Sequence, residues 1–326
     1  MARADTKYPG FKSGNLRWYP DDMIIAPPTN GKYFFVDGSL STGGSGTSWS
    51  DAFADIQAGV DACTSRNNDV VFVAPRNSSA NNNRYDGNIK IAKRSVTLVG
   101  VGNNFKRCSV RSSSGTLVTL SGLDGVSYLG IGMYVVSTAT DVEISGFQFD
   151  ASGTYLGLYI GDGNRIDATI YAGGADTEGS RVHHNLFKYG TTGVMYDGSA
   201  ADHIFHDNIL YKQSDNGAYL GPGGTQQTQR VYILDNIFSG CEDYGVFVYN
   251  SAENKDHVVA RNVFKDQKSD TTEMVNPVII AEGTATSAVV GNWNACDNDN
   301  SLGTKQVHAG NYDGTLAGGG VFVDET

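Results

Sequence analysis

Short apolar runs, each broken by an asparagine or a glycine, recur along the second half of the chain. Val182-His183-His184-Asn185-Leu186-Phe187 returns as Phe205-His206-Asp207-Asn208-Ile209-Leu210, as Ile233-Leu234-Asp235-Asn236-Ile237-Phe238 and as Val259-Ala260-Arg261-Asn262-Val263-Phe264. A degenerate copy follows at Val289-Val290-Gly291-Asn292-Trp293-Asn294, so the asparagines are spaced by 23, 28, 26 and 30 residues. Upstream, Ile144-Ser145-Gly146-Phe147-Gln148-Phe149 reads as the same unit with Gly146 in place of the asparagine. A further strand in each unit opens on glycine: Gly193-Val194-Met195-Tyr196, Gly217-Ala218-Tyr219-Leu220 and Gly245-Val246-Phe247-Val248. Strand alternation turns Val182, Phe205, Ile233 and Val259 into one inward column and Phe187, Leu210, Phe238 and Phe264 into another. No unit can bury its own apolar face, so the units must stack. Short strands without helical or Leu-x-x-Leu patterning predict an all-β fold, a parallel β-helix of about ten coils roughly 50 Å long. An inward asparagine suits such a corner, because it tolerates left-handed backbone and its amide can bond to the asparagine of the next coil.

The N-terminal part reads differently. Residues 1–31 carry Tyr8-Pro9-Gly10, Tyr19-Pro20 and Ala26-Pro27-Pro28, which interrupt any regular ladder. They predict an extended arm with apolar anchors at Phe11, Leu16, Trp18, Met23 and Ile24. Tyr33 to Val36 and Asp69 to Val73 read as strands, the second ending at Ala74-Pro75. Between them, residues 51–63 place Phe53, Ile56, Val60 and Cys63 at helical spacing. This predicts a capping helix with Ser50 as N-cap and Asp51 and Asp55 near the positive end of its dipole. The division expected is an arm over 1–31 and a β-helix over 32–326, with coils over about 89–310. For 311–326, closure of the last coil and contact with a neighbour are both open.

Composition narrows the function. The chain has 326 residues, 41 glycines, only 18% charged residues and a net charge of −11. That charge disfavours nucleic-acid phosphate or an anionic membrane as partner. No run approaches the ~20 apolar residues of a membrane span, and residues 1–30 lack the apolar core of a signal peptide. Cys63, Cys108, Cys241 and Cys296 are far apart with no Cys-x-x-Cys pair, so they are expected as free, mostly buried thiols. No phosphate loop or dinucleotide fingerprint is present and no cofactor is expected.

The segments Tyr33-Phe34-Phe35-Val36-Asp37, Asp51-Ala52-Phe53-Ala54-Asp55-Ile56-Gln57 and Val71-Phe72-Val73-Ala74-Pro75, followed by the Val-x-x-Asn-x-Phe units, resemble the right-handed β-helix proteins of the pectate-lyase-like superfamily. The chain departs from them at Arg76, where an Asn/Ser-rich insertion, Asn77 to Asn83, predicts a protruding loop. The resemblance implies a fold shared by lyases, hydrolases, esterases, phage tailspikes and non-enzymatic virion parts. The paired-arginine pattern of pectate lyases, the Asn-Thr-Asp and His-Gly signatures of polygalacturonases and the Gly-x-Asp-x-x-Arg of pectin esterases do not occur in the sequence.

Three surface columns are candidates for chemistry. His183 over His206, beside His184, Asp207 and Asp235, offers imidazoles and carboxylates for a metal or for acid–base work; the competing reading is a solvated polar ladder, because metal sites need three or four converging ligands. Asp215 over Asp243, preceded by Thr191, has the ~5 Å separation of a retaining glycosidase pair, although any two aspartates on adjacent coils share it. Met195, Tyr219 and Phe247 point outward and would either stack on sugar rings or contact another subunit. The resulting expectation is a phage-like virion structural protein, a capsid decoration or tail component. It would be made in the host cytoplasm, assemble as a homotrimer and be held to other virion proteins by residues 1–31. The alternatives are a polysaccharide lyase or hydrolase and a glycan-binding adhesin on a host-surface glycan.

Overall fold

The computed structural model describes residues 31–77, 83–102, 107–112, 120–121, 127–128, 130–136, 139–151, 156–161, 177–197, 200–221, 228–248, 256–265, 276–280, 288–295, 307–309, 311–313 and 321–323. The arm anchors Phe11, Leu16, Trp18, Met23 and Ile24, most of the Asn77–Asn83 insertion and Cys296 lie outside them.

Each repeat supplies three strands, and equivalent strands of successive repeats pair in parallel. Sheet A begins with Tyr33–Val36, Asp69–Val73 and Val96–Gly100 and runs through Glu143–Ser145, Arg181–His183, Ile204–His206, Tyr232–Leu234, Val258–Ala260 and Ala288–Val290 to Val307–Ala309. Sheet B stacks Phe147–Asp150, Leu186–Lys188, Ile209–Tyr211, Ile237–Ser239 and Val263–Lys265. Sheet C stacks Ile131–Val135, Leu156–Ile160, Thr192–Tyr196, Asn216–Leu220 and Tyr244–Val248. The chain is a parallel β-helix. Stacking already starts at Tyr33 against Val70, upstream of the expected first coil near residue 89.

Register follows the repeat. Val182 pairs with Phe205, Phe205 with Ile233 and Ile233 with Val259, and all four are fully buried. Phe187, Leu210, Phe238 and Phe264 form the second interior column. Phe149 stacks on Phe187 at 4.7 Å and Phe238 on Phe264 at 4.9 Å, which adds ring contact to area burial. In sheet C, glycines 157, 193 and 217 let neighbouring coils approach. A Cβ on Gly217 would lie 2.5 Å from the Phe238 ring and 2.6 Å from the Gly245 carbonyl oxygen.

The register corrects one alignment. Ser145 pairs with His183 and Gln148 with Leu186, so Gly146 matches His184 and Phe147 takes the asparagine position. Gly146 fills the left-handed corner before it, at φ 77°.

The cap also differs from the expectation. Trp49–Asp51 is a single 3-10 turn, and the helix α1 spans Ile56–Ala62 with Asp55 as N-cap, its side chain accepting from the Ala58 amide at 2.8 Å. Phe53 precedes the helix because its backbone bridges Val36. Ile56, Val60 and Cys63 enter the interior cluster, so α1 plugs the open end of the coil. At the other end Val321–Val323 pairs antiparallel with Asn311–Asp313 and covers that edge of sheet B. The free thiols Cys63, Cys108 and Cys241 are buried, as expected.

Candidate functional site

The corner between sheets A and B organises the surface. At each coil one residue turns left-handed: His184 (φ 56°), Asp207 (52°), Asp235 (56°), Arg261 (55°) and Gly291 (63°). The next residue is the inward asparagine, and the five asparagines bond in series. Asn185, Asn208, Asn236 and Asn262 each donate from Nδ2 to the Oδ1 of the asparagine one coil on, at 3.0–3.1 Å. Each also donates its backbone N–H to that same oxygen at 2.9–3.0 Å.

Outside this ladder stands the histidine column. His183 stacks on His206 with ring centroids 4.9 Å apart and planes 13° from parallel. His183 Nε2 lies 3.0 Å from Glu143 Oε1, His183 Nδ1 lies 2.8 Å from His184 Nδ1, and His206 Nδ1 lies 2.7 Å from Asp207 Oδ2. The His183 hydrogen bond holds the Glu143 carboxyl below the usual carboxylate range against the opposing effect of burial. Glu143 is therefore the acceptor and His183 Nε2 the donor, and the Nδ1 atoms of His183 and His184 share one hydrogen bond. A carboxylate held this low is a poor general acid at neutral pH. Asp235 is drawn away from the histidines by a two-point ion pair with Arg261, at 2.6 and 2.8 Å.

Asp215 and Asp243 do occupy one column: the Asp243 amide donates to the Asp215 carbonyl oxygen at 3.1 Å, and the following residues Asn216 and Tyr244 are paired. Asp243 is exposed and Asp215 half-buried. Both border Tyr244, whose phenol is pushed up by burial and by the two carboxylates.

The Met195, Tyr219 and Phe247 column lies on the outer side of sheet C, but it is not an open stripe. Met195 and Tyr219 are buried, Phe247 is half-buried, and with Ile131, Tyr134, Leu156 and Tyr159 they form a second apolar cluster. Tyr159 bonds through its hydroxyl to Asp197 at 3.1 Å inside the protein. Alternation correctly gives the side of the sheet; the chain itself covers that side, which removes Met195 and Tyr219 as sugar platforms or subunit contacts.

Two other features were missed. His203 and His257 are fully buried, and burial pushes both imidazoles down to about 4. His203 Nδ1 accepts from the Ser180 amide at 3.2 Å and His257 Nδ1 from the Val231 amide at 3.3 Å. Each follows a left-handed corner residue, Asp202 or Asp256, and that pairing is the signal the sequence held. The outer faces of sheets A and B also carry apolar residues where a solvated sheet would alternate to polar: Ile204, Tyr232, Val258 and Leu234 on A, and Leu186, Ile209, Ile237 and Val263 on B, all half-buried.

Residues 101–293 match the family described as periplasmic copper-binding protein (NosD). No curated protein matches the chain. Among solved structures the chain is similar to a glycoside hydrolase (13% identity, TM-score 0.46), covering 72% of this chain and 39% of that one. It is also similar to XylC solved with xylose (10%, TM-score 0.45, 86% and 68%) and to the Dettilon tailspike protein (14%, TM-score 0.36, 86% and 66%). The chain thus spans well under half the length of that glycoside hydrolase.

The family description raises copper, which seeks converging imidazole, thiolate or thioether donors. Among the described residues no three His, Cys, Asp or Glu side chains converge on one point. The Nδ1 atoms of His183 and His184 are engaged with each other and that of His206 with Asp207. Cys63 and Cys241 are pushed up to about 12 by burial and remain thiols. Met133 and Met195 belong to clusters on opposite sides of sheet C. The described residues do not fit a copper ion.

Proposed function

The chain belongs to the NosD family of right-handed β-helix proteins, and on that scaffold we propose that it is a virion structural protein, a capsid decoration or tail component that assembles with copies of itself. The observation that carries this reading is the pair of apolar outer faces on sheets A and B. Elsewhere the chain covers such faces itself: Trp49 packs edge-on against Phe35 at 4.9 Å over the first coils of sheet A, and the outer cluster on sheet C is buried. On the coils from Leu186 to Val263 the apolar side chains Leu186, Ile204, Ile209, Tyr232, Ile237, Val258 and Val263 remain half-buried. Five rungs at ~4.8 Å and two three-residue strands span roughly 24 by 20 Å, an outline that also holds His206, Lys188 and Tyr211. Its apolar part falls within the ~300–600 Å² of the largest patch on a typical monomer, a size that often marks an interaction site.

A second copy is the occupant we infer. The faces meet at one corner, so face A of one copy can pack on face B of the next, a head-to-tail contact that closes as a ring of three. The arm, residues 1–31, is the segment we assign to attachment on the particle. Immunolabelling of intact particles tests this: the full chain is expected on the particle surface, and a chain lacking residues 1–31 is expected to fold but stay unattached. Absence of the full chain from particles would overturn the proposal.

A second reading, a polysaccharide depolymerase, is favoured by the shared column of Asp215 and Asp243 beside sheet C. It predicts new reducing or unsaturated ends from a polysaccharide, lost in Asp215→Asn and Asp243→Asn.

A further inference from the structure

At the C-terminal ends of two middle strands of sheet B the surface changes character. Lys188 and Tyr189 on one coil lie against Tyr211 and Lys212 on the next, with Lys188 and Tyr211 in register. The four side chains form a checkerboard. Lys188 Nζ sits 5.4 Å from the centroid of the Tyr189 ring, Lys212 Nζ 5.9 Å from that of Tyr211, and the two rings meet edge to face at 6.0 Å. Lys265 extends the Lys188 column two coils beyond Tyr211. Tyr189 is 39% exposed and is the one exposed large hydrophobic side chain among the described residues.

The backbone marks Tyr189 as costly. It stands left-handed at φ 61°, in a corner filled by Lys212 (55°) and Gly240 (65°) on the next two coils. Glycine adopts that conformation freely, whereas a bulky aromatic residue there is an outlier. The ring gains little burial in return. Strain held at an exposed side chain points to a use outside the fold.

The charge is also out of character. In a chain of net charge −11, three lysines gather here. Of the acidic neighbours, Asp150, one rung before Lys188, is bound to Arg84 at 3.1 Å, and Glu242 is exposed one turn past the lysines. Flat rings with polar rims offer stacking faces, and ammonium groups beside them offer point charges for carboxylates.

We propose that Lys188, Tyr189, Tyr211 and Lys212 form a binding platform for carboxylated sugars, the tyrosines stacking on the rings and the lysines meeting the carboxylates. The site lies along the edge of the apolar face of sheet B, on the strands that carry Leu186 and Ile209, and apart from the Asp215/Asp243 column.

The test uses the full chain in affinity electrophoresis through gels containing alginate, a uronate polymer, or neutral dextran. Alginate is expected to retard the protein at low salt and dextran is not. Tyr189→Gly relieves the left-handed strain, so it is expected to melt at the same temperature or higher while losing at least tenfold in alginate affinity. Lys188→Gln with Lys212→Gln is expected to weaken alginate binding and flatten its salt dependence. The proposal is overturned if alginate retards the chain no more than dextran. It is equally overturned if Tyr189→Gly melts lower with affinity unchanged, or if single-stranded DNA binds more tightly than alginate.

Discussion

Replacing Asn236 by alanine removes the centre of the corner ladder. The Asn236 amide oxygen accepts from the Asn208 backbone N–H at 2.9 Å and from Asn208 Nδ2 at 3.1 Å. Its Nδ2 donates to the Phe205 carbonyl oxygen at 3.0 Å and to Asn262 Oδ1 at 3.0 Å. After truncation the Asn208 N–H is stranded in the interior, which costs about 1–3 kcal/mol. The other three groups keep a partner: Asn208 Nδ2 still donates to the Val182 and His206 carbonyl oxygens, Asn262 Oδ1 still accepts from the residue 236 backbone, and the Phe205 carbonyl stays in the sheet A ladder opposite Ile233. Each therefore loses only a net bond of about 0.5–1.5 kcal/mol. The sum is about 5 kcal/mol, a large part of a total stability of ~5–15 kcal/mol. With an unfolding entropy of ~2.1 cal/mol/K per residue, that is a Tm drop of roughly 7 °C. Asn236→Asp should cost more, because a carboxylate oxygen would face the Phe205 and Asn262 oxygens, two acceptors, in place of a donor. Thermal and urea unfolding of wild type and both variants provide the assay. A loss below about 1 kcal/mol for Asn236→Ala, or Asn236→Asp tolerated better than alanine, would refute the claim that the ladder holds the corner.

Acid should destabilise the coil through His203 and His257. Both are neutral in the fold with pKa pushed down to about 4 from 6.5, so their stability is complete above pH 6.5 and declines as pH falls, the unfolded chain taking up protons first. Each costs about 3 kcal/mol by pH 4, and urea midpoints between pH 7 and 4 should fall less steeply in His257→Leu. Gly217→Ala forces a Cβ to 2.5 Å from the Phe238 ring and 2.6 Å from a backbone oxygen, so a loss of roughly 1–3 kcal/mol is expected in denaturant titration; an unchanged midpoint would mean sheet C is not closely stacked there.

The coil was legible where burial selects residues with a fixed period. Val182, Phe205, Ile233 and Val259 had to face one interior, and the asparagines beside them had to satisfy one another's amides. What a period cannot convey is what lies over a strand's outer side. Alternation put Met195 and Tyr219 on the outside of sheet C, and only the folded chain reveals them buried in a second cluster. Gly146 was mistaken for the ladder residue because glycine and asparagine both favour left-handed corners, and pairing alone shows Phe147 in that place. His203 and His257 fall outside the asparagine-marked motif, and only the aspartate before each, Asp202 or Asp256, marks them. Helix α1 starts late because Phe53 is held in a bridge to Val36, a long-range contact that helical spacing does not register. The histidine column was found in its proper register, His183 over His206, since one repeat length placed both.

Self-association through the apolar faces of sheets A and B is the claim on which the proposed role depends. Sedimentation equilibrium of the full chain, beside a variant carrying Ile209→Glu and Ile237→Glu, addresses it directly. Both residues are half-buried on the outer side of sheet B, so the variant should keep the wild-type circular dichroism, while its melting temperature falls by the stabilisation that association supplied. The account predicts a trimer for the wild type and a monomer for the variant; a wild-type chain that stays monomeric at every concentration, or a variant that still forms trimers, would contradict it.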